Sequence, residues 1–146
     1  MRVVIQRVNQ AKVSIENEVV AEINMGLLIL LGATRGDTQE DTGYLADKCI
    51  NLRIFEDEQG KMNRSALEVG AELLVVSQFT LYADTERGRR PSFTGALEPG
   101  LAKKLYLEFI HLLKESGLKV KQGEFGAKMA VKLVNWGPVT MILDSR

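Results

Sequence analysis

Apolar and polar residues alternate along Ala11 to Ile15 and again along Val19 to Ile23, on either side of Glu16-Asn17-Glu18, which predicts a hairpin. Arg2 to Val8 alternates more loosely, as a strand ahead of it. Two other stretches lose the alternation. Leu27 to Leu31, opened by Gly26 and closed by Gly32, and Leu73 to Val76 are unbroken apolar runs, the pattern of strands covered on both faces. Longer periods mark two helices. Leu45, Cys49 and Leu52 share one face of a helix predicted to start at Asp37-Thr38-Gln39-Glu40, where an Asp and a Glu three residues apart have capping-box spacing. Leu101, Leu105, Phe109, Leu112 and Leu113 stripe a second helix over Glu98 to Ser116, with Pro99 in its first turn and Gly117 past its end. Short strands are expected at Arg53 to Glu56, Val131 to Val134 and Val139 to Leu143, the last two joined by the turn Asn135-Trp136-Gly137-Pro138. Tyr82 to Gly100 reads as a long polar loop. Without repeats or linkers, this order predicts a single α/β domain over residues 1–146.

Composition narrows the function. At 146 residues and 45% hydrophobic, the chain can bury a sizeable core. Nineteen Lys and Arg balance nineteen Asp and Glu, so a nucleic acid would be held by a local patch and not by the total field. The single cysteine, Cys49, excludes an internal disulfide and a cysteine-built metal centre; on an apolar helix stripe it reads as a core residue, and it suits a reducing cytoplasm. The single histidine, His111, lies off the second helix's stripe and reads as a surface residue, which leaves no Ser-His-Asp arrangement. Met1 to Gln10 lacks a charged-then-apolar leader, and the longest apolar run, Met25 to Ala33, is too short to cross a bilayer. The expectation is a soluble cytoplasmic protein with no metal, no cofactor and no membrane partner.

Chemistry concentrates in three places. The run Leu73 to Val76 ends in Ser77-Gln78-Phe79-Thr80, hydroxyls and an amide around one aromatic, where a buried strand should surface. Layered α/β folds place sites at such strand ends; the same side chains would also serve simply to satisfy backbone groups. Within the polar loop, Arg87-Gly88-Arg89-Arg90-Pro91-Ser92-Phe93 carries three arginines and an aromatic, suited either to gripping phosphates and stacking a base or to plain solvation. Gly137-Pro138 is, taken alone, an ordinary turn device.

Together, Ser77-Gln78-Phe79-Thr80 and Asn135-Trp136-Gly137-Pro138-Val139-Thr140 resemble the two signatures of the D-aminoacyl-tRNA deacylase family. The resemblance extends through Gln6-Arg7-Val8, Leu52-Arg53-Ile54-Phe55, Gly60-Lys61-Met62-Asn63, Arg89 to Phe93 and Gly123 to Met129. Lys128 and Trp136 depart from it, because relatives often carry Asp at these positions. The resemblance implies a three-layer α/β/β domain with mixed sheets, homodimeric and cytoplasmic. It implies hydrolysis of the ester joining a D-amino acid to the terminal adenosine of tRNA, with no DNA partner. By the same resemblance Ser77, Gln78, Phe79 and Thr80 line the pocket for adenosine and ester, with Phe125 and Met129 as further substrate contacts. Gly137 and Pro138, a cis pair in the family, would enter the partner subunit's pocket; Arg7 would hold their loop, and Arg87, Arg89 and Arg90 would contact tRNA.

Ester hydrolysis needs an activated oxygen and donors for the developing oxyanion, each good donor contributing about 2.7 to 4 kcal/mol. Two routes fit the residues: attack by the Thr80 hydroxyl, or by water assisted by the substrate's ribose hydroxyl and backbone amides near Phe79. A threonine without a base is a poor nucleophile at neutral pH, which favours water. A site that accepts many D side chains must read the amine and exclude the L side chain, a task suited to rigid main chain such as Gly137-Pro138. A non-enzymatic RNA-binding module would explain the arginines but not the hydroxyl-rich strand end, and a small-molecule esterase the reverse.

Overall fold

The computed structural model describes residues 1–86 and 88–146, so Arg87 lies outside the described residues. Its axis is β1 (Arg2–Ile15). Strand β8 (Ala130–Asp144) runs antiparallel along nearly all of β1, from Arg2 opposite Asp144 to Ser14 opposite Ala130. On its other side β1 serves two partners: Arg2 to Val8 pair with β3 (Gly26–Gly32), and Ala11 to Ile15 with β2 (Glu18–Ile23). From β3 the sheet continues through parallel pairing to β6 (Glu72–Ser77) and then β7 (Val120–Gln122). Helices α1 (Gln39–Asn51) and α3 (Pro99–Glu115) pack side by side on one face. Strands β4 (Phe55–Glu56) and β5 (Met62–Arg64) form a small separate ribbon, followed by the single turn α2 (Ala66–Val69).

Side-chain alternation splits the core. Val3, Ile5, Leu27, Ile29, Leu73 and Val75 face the helices and meet Leu45, Cys49, Leu105, Phe109 and Leu113. Their neighbours Leu28, Leu74 and Val76 point the other way, onto Val8, Ala11, Val13, Ala21 and Ile23. The second half of β1 therefore folds with β2 back over β6 and β7, and the layers are helices, sheet, sheet. This is the expected three-layer α/β/β arrangement with a mixed sheet. Being covered on both sides, β3 and β6 need no polar face, which is why their sequences lost the alternation.

Several boundaries differ from the sequence expectation. The segments Arg2 to Val8 and Ala11 to Ile15 are one continuous strand. The two final strands are likewise one, β8, and Asn135 to Pro138 is not a turn between them. Gln6 pairs with Thr140 and Val8 with Asn135, so Trp136 to Val139 bulge out opposite Arg7 alone. Asn135 holds this bulge shut: its Oδ1 accepts from the Val139 amide at 2.9 Å, and its Nδ2 donates to Thr140 Oγ1 at 2.9 Å. Helix α1 starts one residue later than expected, with Thr38 as cap and Asp41 as its partner; the Thr38 amide and hydroxyl both donate to Asp41 Oδ2, at 2.8 and 3.1 Å. Asp37 is occupied elsewhere, accepting from the Met1 ammonium and the Thr34 amide, each at 2.6 Å. On α3 the buried stripe is Leu105, Tyr106, Phe109, Ile110 and Leu113, while Leu101 faces solvent. The polar loop after β6 opens with a 3-10 helix, Phe79–Tyr82, and is pinned by an Asp84–Ser92 bridge. Among the described residues no helix is long and apolar enough to cross a membrane.

Candidate functional site

The parallel pair β3 and β6 ends side by side, with Leu31 opposite Ser77. Beyond those ends lies a cavity of about 430 Å3. Ser77, Gln78 and Phe79 form one wall, Gly32 and Ala33 the floor, and Pro99, Ala102 and Tyr106 of α3 a second wall. Phe125, Gly126, Ala127 and Met129 close the remaining side. Gly32 is needed here because a Cβ would stand 2.9 Å from the Gln78 carbonyl oxygen. The strand end thus opens onto a cavity, with Ser77, Gln78 and Phe79 in its lining.

Tyr106 was not anticipated. Buried at the back of the cavity, its hydroxyl donates toward the Val75 carbonyl at 3.1 Å and lies 3.3 Å from that of Gly123, and burial pushes its phenol well above the usual range. It ties α3 to the end of β6 and to the segment that carries Phe125, whose ring packs against it at 5.6 Å. Sequence periodicity counted Leu105 and Phe109 and passed over an aromatic with a polar tip on the same buried face. Tyr106→Phe is expected to keep the fold and lower stability by about 1 kcal/mol, the worth of one hydrogen bond; chemical denaturation measures it.

At the mouth, Phe79 is 57% exposed and meets Phe93 edge to face, ring centroids 4.9 Å apart. An exposed aromatic pair above a cavity offers a stacking surface for a planar ring. Thr80 sits on the 3-10 helix outside the cavity lining, and its Oγ1 accepts a hydrogen bond from the Gln78 side chain. No histidine stands near it: His111 is exposed on α3 and pairs with Glu115 at 3.5 Å. The first hydrogen bond of the 3-10 helix is donated by Leu81 to Gln78, so the amides of Phe79 and Thr80 precede the helical ladder. Cys49 is fully buried, and burial pushes its thiol well up, as befits a core residue. Among the described residues no group of three or more His, Cys, Asp or Glu is gathered to hold a metal ion.

Gly137 and Pro138 form a second cluster, exposed, with a cis peptide bond between them. Arg7, only 2% exposed, braces it from beneath. Its Nε donates to the Trp136 carbonyl at 3.0 Å, its Nη1 to the Ile54 carbonyl at 2.7 Å, and its Nη2 reaches Glu56 at 3.4 Å. The guanidinium also lies 4.4 Å from the centre of the Trp136 ring. A Cβ on Gly137, whose φ is +127°, would stand 2.8 Å from Arg7 Nη2. Neither Arg7 nor the Gly-Pro pair lines the cavity of the same chain. Arg89 and Arg90 are exposed on the loop that carries Phe93, and Lys128 is exposed on the segment that carries Phe125.

The family model described as D-Tyr-tRNA(Tyr) deacylase matches residues 4–144. The chain belongs to this deacylase family. A D-aminoacyl-tRNA deacylase of Thermosipho africanus (strain TCF52B) is 58% identical over 146 residues, covering all of this chain and 98% of the relative. One of Aquifex aeolicus (strain VF5) is 57% identical, again over 146 residues, with 99% of the relative covered. A solved structure named "c-Myc DNA Unwinding Element Binding Protein" superposes with a TM-score of 0.94 at 39% identity, covering 100% of this chain and 99% of the other. A probable eukaryotic D-amino acid tRNA deacylase superposes with a TM-score of 0.83 at 19% identity over 98% of each chain, a likeness of fold. Membership in the deacylase family makes the chain an enzyme, a hydrolase acting on an ester bond.

Proposed function

We propose that the cavity receives the 3′-terminal adenosine of a tRNA esterified to a D-amino acid and that the enzyme hydrolyses the ester in the cytoplasm, sparing L-aminoacyl-tRNA. The observation that carries this reading is the cavity at the ends of β3 and β6, walled by Ser77, Gln78 and Phe79 and topped by the Phe79–Phe93 pair. The adenine ring stacks at that mouth, with Met129 and Phe125 on the far wall, and Arg89 and Arg90 on the adjoining loop meet phosphates.

Water is the nucleophile. Thr80 has a hydrogen-bonded hydroxyl and no base beside it, so it positions substrate, while the Phe79 and Thr80 amides face the developing oxyanion. The ribose 2′-hydroxyl next to the ester supplies the proton relay that the side chains lack. DNA, which has no such hydroxyl, is not a partner in this chemistry.

Handedness is read by a second copy of the chain. Gly137 and Pro138 are exposed on β8 and absent from the lining of their own cavity, on a bulge held by Arg7 and Asn135. In a two-fold homodimer each bulge enters the other subunit's cavity, where main-chain carbonyls bind the substrate ammonium and leave no room for an L side chain.

One assay separates these claims: D-Tyr-tRNA, L-Tyr-tRNA and a simple D-tyrosine ester, each incubated with the protein in EDTA. Hydrolysis of D-Tyr-tRNA alone is expected. Equal rates on both tRNAs would sink the chiral reading, cleavage of the simple ester would favour a small-molecule esterase, and full inhibition by EDTA would require a metal.

A further inference from the structure

Charge is unevenly spread over the helical layer of this chain, whose total is zero. The exposed face of α1 carries Glu40 and Asp47, and its Lys48 lies 5.5 Å from the Tyr44 ring. The exposed face of α3 carries Lys103, Lys104 and Lys114. Among the described residues none of these three lysines has a carboxylate within ion-pair distance. Of the acids nearby, Glu98 caps α3, accepting from the Gly100 and Leu101 amides at 2.9 and 2.6 Å, and Glu115 faces His111. Glu108, half-buried one turn beyond Lys104, lies further round the helix, on the side away from Pro99, Ala102 and Tyr106. The same helix forms a wall of the cavity through Pro99, Ala102 and Tyr106. With about 3.6 residues per turn, Lys103 and Lys114 stand on the stripe next to those three, with Lys104 one step further round. A row of ammonium groups without ion-pair partners among the described residues therefore starts beside the cavity wall and leads away from it.

We infer that this face of α3 is the track on which the acceptor stem of the tRNA lies, its phosphates against Lys103, Lys104 and Lys114 while the 3′ end enters the cavity beside Pro99. The inference rests on the cavity being a site for a tRNA 3′ end. A stem is stiff and must leave the cavity along one wall. Lysines act on phosphates as point charges without reading sequence, so the track holds tRNA bodies of any sequence.

The test is Lys103→Ala/Lys104→Ala/Lys114→Ala against the unaltered protein, with affinity for uncharged tRNA measured across a salt series. The triple variant should bind roughly 10- to 100-fold more weakly at low salt, and its slope of log affinity against log salt should be shallower by about 2 to 3, near one per phosphate contact. KM for D-Tyr-tRNA should rise with kcat unchanged, and hydrolysis of D-tyrosyl-adenosine, which has no stem, should be unaffected. An unchanged salt slope overturns the track. So does an equal loss per charge in Lys48→Ala/Lys61→Ala, on α1 and on the β4–β5 turn, or an equal loss on D-tyrosyl-adenosine. Failure of the unaltered protein to cleave either substrate is a separate result and sinks the reading of the cavity instead.

Discussion

Arg7→Ala is expected to lower stability by about 3 to 5 kcal/mol, the cost of emptying a buried site and orphaning its polar partners. Arg7 is among the largest fully buried side chains, and its loss leaves the Trp136 and Ile54 carbonyls without their donors. The ion pair with Glu56 is the lesser term: at 3.4 Å from a carboxylate 43% exposed, it contributes about 0 to 1 kcal/mol. Glu56→Gln should therefore be nearly silent where Arg7→Ala is severe. Arg7→Lys keeps a charge but not the planar fork that meets two carbonyls and the Trp136 ring together, and should fall between them. Urea midpoints of the three variants give this order. Because Arg7 also fixes the bulge that bears Gly137 and Pro138, the ratio of D to L deacylation should collapse in Arg7→Lys even where the protein stays folded. An Arg7→Lys enzyme with full chiral preference would show that the bulge needs no brace.

A tRNA ending in 2′-deoxyadenosine, charged with D-tyrosine, should be cleaved at least about 100-fold more slowly than the ribose form, the usual range for removing a positioned acid or base. Thr80→Ala should retain measurable activity on the ribose substrate. The Thr80 hydroxyl has Gln78 as its hydrogen-bond partner and no imidazole or carboxylate bonded to it to take its proton. Single-turnover rates on the two substrates decide it, since they isolate the chemical step from product release. Abolition of turnover by Thr80→Ala, with the deoxy substrate cleaved normally, would make Thr80 the nucleophile.

Buried strands were the most legible part of the sequence. Leu27 to Leu31 and Leu73 to Val76 announced themselves as covered on both faces, and the polar residues directly after the second mark the cavity wall. What escaped was anything that depended on two distant segments meeting. Asn135 to Pro138 has the composition of a turn and reads as one, because turn chemistry is local; only the pairing of β8 with both halves of β1 turns it into a bulge. Asp37 has the right spacing for a cap, but the Met1 ammonium and the Thr34 amide claim its oxygens, and Thr38 takes the task. Tyr106 was hidden for a related reason, and Arg7 was legible through the family resemblance and not through any local pattern. Both are polar residues made compatible with burial by carbonyls far away in the chain, at Gly123 and Ile54 among others, which no periodicity reveals.

The long ladder between β1 and β8 ties Arg2 to Asp144, and it governs how the chain can be made. A nascent polypeptide emerging from the ribosome holds β1, which joins both sheet layers, yet lacks the strand that covers its other edge until nearly 130 further residues have been synthesised. Such contacts between distant residues slow folding, because the loop between them must close before the pairing rewards it. During translation the first hairpin and β3 can pair, but the outer edge of β1 stays open, a template for unwanted strands. Arg2 and Gln6 put a charge and an amide on one face of β1 beside that open edge, and these side chains discourage mispairing while the chain waits for its final strand.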